Sequence, residues 1–226
     1  RRARRNRPMN RFGLTIAVPR GALLGGSLDA LDRASIDTSE IRSNDRKLLF
    51  ADVGVVTMRP SDVPTYVEAG AADVGITGKD VLMENPERQI FELADLNFGE
   101  CQMVVASEDG PDKAAAALAR LGVMRIATKY PRIAAEYFEQ SGRQAEIVTV
   151  NGSVELAPLT GLADAIVDLT ATGITLQEND LVVREEIATV TARLVANRVA
   201  HRLKAVAIEE FASLISAAPN AQATEA

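Results

Sequence analysis

Residues 164–176 read DAIVDLTATGITL: an apolar run, an acid, and then a stretch of threonine and glycine that must turn. Ala165, Ile166 and Val167 have the continuous apolar character of a short buried strand, and Thr172-Gly173 is where such a strand can turn sharply. The amides of Ala171, Thr172, Gly173, Ile174 and Thr175 would then face outward together. Successive unpaired N–H groups at a turn or helix start bind phosphate oxygens, and the hydroxyls of Thr170, Thr172 and Thr175 can add donors. Asp168 repels phosphate, so its place beside such a cradle makes sense if the ligand also offers hydroxyls, as a ribose does. The competing reading is a threonine-rich turn with a solvated aspartate.

Outward from this motif the chain repeats the same unit, a strand, a polar turn and a helix. Residues 14–18 read as a strand, followed by Pro19-Arg20-Gly21 and a helix to about residue 34. Strands are expected at 47–50, 53–58 and 73–77. Arg59-Pro60-Ser61-Asp62 opens a helix to residue 69 with Ser61 or Asp62 as its cap, and Gly78-Lys79-Asp80 opens another. A strand at 90–96 closes this first set. The second set has strands at 101–107, 124–128 and 145–150, helices at 112–121 and 131–141, and the opening motif. A strand at 187–195 and a helix at 204–216 follow. Such alternation predicts an α/β chain with parallel or mixed sheets covered on both faces, and ligands outside the carboxyl ends of the strands. We expect a first domain of residues 10–99 plus 183–216, a second of residues 100–182, and disordered tails at 1–9 and 217–226.

Composition narrows the chemistry. With 226 residues and 47% hydrophobic content the chain can bury one sizeable core or two small ones around a cleft. Nothing approaches the roughly 18 apolar residues of a membrane span, so no membrane and a cytoplasmic location are expected. The single cysteine, Cys101, cannot close an internal disulfide, and with one histidine there is no zinc-type cluster, so no protein-held metal is expected. Cys101 and Met103 read as core residues, and His201 as a partly buried helix residue rather than a general base. Histidine-dependent triads are disfavoured, leaving positioning, charge and backbone donors to carry the chemistry. The formal charge is −6, and residues 1–8 contribute five arginines and no acid, so the remainder carries −11. The basic run precedes Met9 and lacks interleaved aromatics, so it reads as a leader rather than a nucleic-acid arm.

The opening segment resembles the 5-phosphoribosyl 1-pyrophosphate (PRPP) loop of phosphoribosyltransferases. Type I members usually have two adjacent acids before the loop, whereas Leu169 follows Asp168 here. Three longer segments in order carry a more specific resemblance: RPSDVPTYVEAGAADVGITGKDVL (59–82), RIATKYPRIAAEYF (125–138) and NGSVELAPLTGLADAIVDLTATGITL (151–176). Over residues 13–212 the chain resembles the short-form catalytic subunit of ATP phosphoribosyltransferase. That resemblance implies a two-lobed fold similar to periplasmic binding proteins (type II) with the active site in the interdomain cleft. It implies condensation of ATP and PRPP in the first step of histidine biosynthesis, with Mg2+ carried by the substrates. It also implies a regulatory subunit similar to histidyl-tRNA synthetase, with a homodimer of this chain inside a hetero-oligomer.

Residue by residue, the resemblance implies that Glu155 and Asp168 hold ribose hydroxyls, with Thr170, Ala171, Thr172, Gly173, Ile174 and Thr175 around the 5-phosphate. Arg46 and Arg59 would be the catalytic cations at the pyrophosphate, with Arg20 and Gly21 nearby and Gly78, Lys79 and Asp80 at a second phosphate. Arg20-Gly21-Ala22 stands where many members have Lys-Gly-Arg, so one charge is missing there. Plainer readings remain beside these: surface ion pairs for the arginines, helix capping for Gly78-Lys79-Asp80, and a helix start for Glu155 with Ser153 as its cap. A non-catalytic anion binder of the same two-lobed architecture and a type I phosphoribosyltransferase acting on a free base are the alternative functions.

Overall fold

The computed structural model describes residues 10–216, so the two expected tails lie outside the described residues. Two compact units emerge: one runs to Gly99 and resumes at Thr191, and the other is Glu100–Val190.

The first unit begins β1 (Ile16–Pro19), a 3-10 turn at Gly21–Leu23, α1 (Leu24–Arg33), α2 (Ser39–Ser43), β2 (Leu49–Phe50) and β3 (Val55–Met58). It continues with a 3-10 turn at Pro60–Asp62, α3 (Val63–Glu68), β4 (Val74–Gly78), α4 (Lys79–Glu84) and β5 (Ile90–Asp95). The second unit holds β6 (Cys101–Glu108), α5 (Lys113–Leu121), β7 (Met124–Thr128), α6 (Pro131–Gln140), β8 (Ala145–Thr149), α7 (Leu156–Leu159), β9 (Ala165–Thr170), α8 (Ile174–Glu178) and β10 (Leu181–Val190). The chain then re-enters the first unit as β11 (Ala192–Asn197), α9 (Arg198–Leu203) and α10 (Ala205–Ser216).

Both sheets are mixed. In the first the order is β2-β3-β1-β4-β11-β5, with β1 parallel to β3 and β4 and β11 antiparallel to both its neighbours. Every residue of β1 is buried, and alternation assigns the two faces. Ile16 and Val18 pack with Leu28 and Leu31 of α1 and Ile208 and Phe211 of α10, whereas Ala17 packs with Val63 and Val67 of α3. The α3 face is tight because β4 carries a glycine there: a Cβ on Gly75 would fall 2.6 Å from Val63 and 2.9 Å from Val67.

The second sheet runs β10-β6-β9-β7-β8. One of its faces is built from Val104, Ala106, Ala127 and Ile166, packed with Ala157 of α7, Leu176 of α8 and Leu181. Helices α5 and α6 pack against β6, β7 and β8. A polar brace joins the α6 end of this unit to β10. Arg143 forks onto Glu185 at 2.5 and 2.8 Å, and the Tyr137 hydroxyl donates to the same carboxylate at 2.7 Å. The Arg143 hydrogen bonds hold the Glu185 carboxyl below its ordinary range, while burial and then the bond to Glu185 push the Tyr137 phenol up.

Several expectations are corrected. The segment expected as one strand at 187–195 is two strands in different sheets. Its apolar pattern continues through Thr191, but β10 pairs with β6 up to Val190 and β11 pairs with β4 from Ala192. The return to the first unit therefore falls at Thr191 rather than 183, because β10 stays with β6 along its whole length. The helix expected at 204–216 is present as α10, but a separate short helix, α9, precedes it and ends at Lys204, with φ −127° and an ammonium bonded to Gly13 O and Asp73 Oδ2. The preceding turn, α9, is capped by Asn197, which accepts from the amides of Val199 and Ala200 at 2.9 Å each. Neither Ser61 nor Asp62 caps α3 with its side chain.

Candidate active site

In the second unit the opening motif forms a strand, a turn and a short helix. Strand β9 runs to Thr170, the chain turns through Ala171, Thr172 and Gly173, and α8 starts at Ile174. Gly173 makes the turn possible, with φ +77°, a conformation a Cβ would strain, and with open space where that Cβ would stand. The hydroxyls partly serve the turn itself. Thr170 Oγ1 accepts from the Gly173 amide at 2.9 Å, and Thr172 Oγ1 accepts weakly from Ile174 at 3.5 Å. Not all five amides are therefore open: those of Ala171, Thr172 and Thr175 have no acceptor among the described residues, and the Gly173 amide has one.

Asp168 stands two residues beyond Ile166 and shares its face, the one covered by α7 and α8. It is only 7% exposed. Its Oδ1 accepts from the Leu169 amide at 2.8 Å and lies 3.1 Å from Lys129 Nζ. Its Oδ2 makes no hydrogen bond among the described residues, leaving that oxygen's lone pairs for a donor. Burial pushes the Asp168 carboxyl above its ordinary range and the Glu155 charge adds to that, against the opposing pull of Lys129 and the Leu169 amide. Glu155 occupies the N-cap position of α7 without capping it, and its carboxylate has no partner among the described residues. Ser153 does not cap α7 with its side chain either. It adopts φ +48°, and its carbonyl accepts from Leu156 N–H at 3.2 Å. Glu155, Asp168 and the turn 170–175 thus converge at the C-terminal end of β9.

Lys129 was not among the sequence candidates. It follows β7 directly, and the parallel register that sets Thr128 opposite Val167 brings it beside Asp168. The signal was a lysine at the end of a predicted strand, but recognising it required knowing that β7 and β9 are neighbours.

In the first unit the arginines differ in how they are engaged. Arg20 donates from Nε to Thr57 Oγ1 at 3.0 Å, from Nη1 to Asp45 O, and from Nη2 to Lys47 O at 2.6 Å. Arg46 and Arg59 are exposed, and their guanidinium groups have no partner among the described residues. Arg46 sits on a turn closed by Asn44, whose Oδ1 accepts from the amides of Arg46 and Lys47 at 3.2 and 3.1 Å. Gly21 makes the turn after β1 with φ +77°. At the start of α4, Lys79 is paired with Glu92 at 2.7 Å, and the Asp80 carboxylate lies over the Cα of Gly78, where a Cβ would collide with it. A buried carboxylate at that position opposes a phosphate there. His201 is a half-buried α9 residue edge-on to Phe91, and Met103 is fully buried. Among the described residues no group of three or more His, Cys, Asp or Glu could hold a metal ion, and no helix is long and apolar enough to cross a membrane.

The family model described as ATP phosphoribosyltransferase matches residues 59–217. The chain belongs to the ATP phosphoribosyltransferase family. A Rubrobacter xylanophilus protein named "ATP phosphoribosyltransferase" is 53% identical over 195 residues, covering 85% of this chain and 90% of that one. Among solved structures, the "ATP phosphoribosyl transferase (HisG:HisZ) complex from Thermotoga maritima" matches with a TM-score of 0.73 and 33% identity, over 88% of this chain and 94% of that one. A Bordetella pertussis BvgS periplasmic VFT2 domain matches with a TM-score of 0.55 and 18% identity, over 89% and 91% of the two chains. The second likeness is one of fold alone and agrees with the type II periplasmic-binding-protein-like architecture. ATP phosphoribosyltransferases are pentosyl transferases of histidine biosynthesis, so the anion binder and the free-base transferase are not favoured.

Proposed function

We propose that the chain condenses ATP and PRPP to N1-(5-phosphoribosyl)-ATP and pyrophosphate, with PRPP held by the end of β9. The observation that supports this placement is a buried Asp168 whose Oδ2 is uncommitted, next to the unpaired amides of Ala171, Thr172 and Thr175. Asp168 and Glu155 accept from the ribose hydroxyls, and the turn from Thr170 through Gly173 and Ile174 to Thr175 holds the 5-phosphate. Adenine N1 brings a free lone pair to ribose C1, so no base must remove a proton before attack. As the C1–N1 bond forms, the C1–O bond breaks and its electrons leave with pyrophosphate.

The transition state resembles an oxocarbenium ion with negative charge growing on the leaving group. Preorganised cations at the pyrophosphate then accelerate the reaction more than a strong base would. We assign that role to Arg46 and Arg59, whose planar forks are uncommitted. Arg20 has three of its five donors occupied within the protein, so it acts chiefly by holding the turn that carries Arg46. Gly21 shapes the β1 turn, and Gly78, Lys79 and Asp80 serve the start of α4. Magnesium enters with the substrates' phosphates.

The Thermotoga maritima complex is the reason to propose a regulatory partner subunit, and the family resemblance is the reason to propose that this partner is similar to histidyl-tRNA synthetase and acts on a homodimer of this chain in the cytoplasm. The test is to mix the purified chain with ATP, PRPP and magnesium, with and without such a partner, and to follow the adduct's absorbance. Turnover in either mixture is expected, and its absence from both would overturn the assignment.

A further inference from the structure

The side chain next to Asp168 gives the PRPP site a component beyond its carboxylates and phosphate turn. We propose that Lys129 is a positioning residue of that site: its ammonium, 3.1 Å from Asp168 Oδ1, holds the carboxylate against the Leu169 amide and leaves Oδ2 to the ribose hydroxyls. The inference rests on the PRPP reading given above and concerns how that site is kept ready.

The backbone on both sides of Lys129 is tied to β9 or to the turn. On one side, Thr128 Oγ1 donates to Val167 O at 2.7 Å, in a fully buried contact. On the other, the Tyr130 amide donates to the same hydroxyl at 2.8 Å. One hydroxyl thus joins the residue before Asp168 to the residues flanking Lys129. The lysine stem is carried to a fixed place, with its ammonium also 5.3 Å from the Tyr130 ring centroid. Its side chain remains 40% exposed, against 10% for that of Asp168, so the cation stays hydrated while the carboxylate is dry.

A dry carboxylate with a second one nearby tends to take up a proton, and a protonated Asp168 would lose acceptor capacity toward the sugar. The charged groups acting on it are Lys129, from the turn after β7, and Glu155, from the start of α7. Opposite Asp168 on β6 is the apolar Val104, and the turn 170–173 carries only threonine, alanine and glycine. Lys129 is therefore the opposing cation, and its removal moves ionisation of Asp168 to higher pH.

The test compares the full chain with Lys129→Met, Lys129→Arg, Asp168→Asn and the Lys129→Met/Asp168→Asn double variant. PRPP affinity by calorimetry and kcat/KM for PRPP are followed from about pH 4, near the ordinary aspartate value, to about pH 9. In Lys129→Met the acid limb should rise by about one pH unit, lowering kcat/KM about tenfold below the limb and much less at alkaline pH. Lys129→Arg should restore most of the limb, and Lys129→Met should cost nothing further in the Asp168→Asn background. An unmoved limb, or an equal loss in both backgrounds, would overturn the inference, the latter pointing to a direct contact with PRPP. Failure of the wild-type chain to bind PRPP would overturn the underlying assignment instead. Thermal melting of each variant separates these outcomes from loss of the fold.

Discussion

Arg20 donates to the carbonyls of Asp45 and Lys47, the two residues that flank Arg46. The fork of one arginine thereby sets the position of the next, with Asn44 closing the turn from the other side. Arg46→Ala should cut turnover at saturating substrates by a factor on the order of 10² or more, as loss of one preorganised donor can. Arg20→Lys keeps the charge but cannot span both carbonyls and Thr57, so it should also lower kcat, with restored activity on return to arginine alone. Unchanged steady-state rates in Arg46→Ala would make that residue peripheral.

Asp168 separates binding from stability. A carboxyl raised above its unfolded value contributes stability below the unfolded value, near about pH 4, and loses it as pH rises through the folded value. At neutral pH its ionised form is thus a cost to the fold. Asp168→Asn should melt at or above the wild-type temperature at pH 7, lose that advantage on acidification, and bind PRPP more weakly than the wild type while remaining measurable. A clearly lower melting temperature at pH 7 would assign Asp168 to the scaffold.

Gly173 and Gly75 should fail in different ways. Gly173→Ala places a methyl group in open space but on a backbone with φ +77°, a strain of roughly 1–2 kcal/mol that should appear as a raised KM for PRPP in a folded protein. Gly75→Ala drives a Cβ into Val63 and Val67 and should cost about 1–3 kcal/mol in urea denaturation. Equal effects of the two on stability would contradict the division between turn and core.

The Arg143–Glu185 brace carries an acid dependence of opposite sign to that of Asp168. A depressed carboxyl contributes stability above the unfolded value, near about 4.3, and loses it as pH falls through the folded value. Arg143→Ala should cost about 1–2 kcal/mol at neutral pH, since both partners are partly exposed. The gap between variant and wild type should narrow in melts run below about pH 4, whereas a gap independent of pH would show that lost packing on Phe138 explains the effect.

The sequence revealed elements wherever local physics decided them. The strand at 124–128 and the helix expected at 112–121 follow from local apolar patterning, and the structure adds the Asp112 cap on the Ala115 amide. The turn at Gly173 was legible because a glycine after threonine marks a sharp turn. What stayed hidden depended on pairing between distant segments. Thr191 looks like any β-branched residue in a strand, and only the partners of Val190 and Ala192 show that the sheet changes there. Lys129 was hidden for the same reason, as was the inward use of the Thr170 hydroxyl, which depends on how tightly the turn closes. The arginine candidates were legible by type, but their division into committed and uncommitted donors required coordinates.

Strand β11 lies between β4 and β5, yet it is made last. When a ribosome has released residues up to Val190, the second unit has all its strands, while in the first β4 and β5 still lack the segment that joins them. The unit encoded first must therefore finish second, holding its exposed strand edges for the several seconds that synthesis of the intervening 91 residues takes. Unpaired strand edges are templates for aggregation, so that interval makes the timing of translation part of this protein's folding.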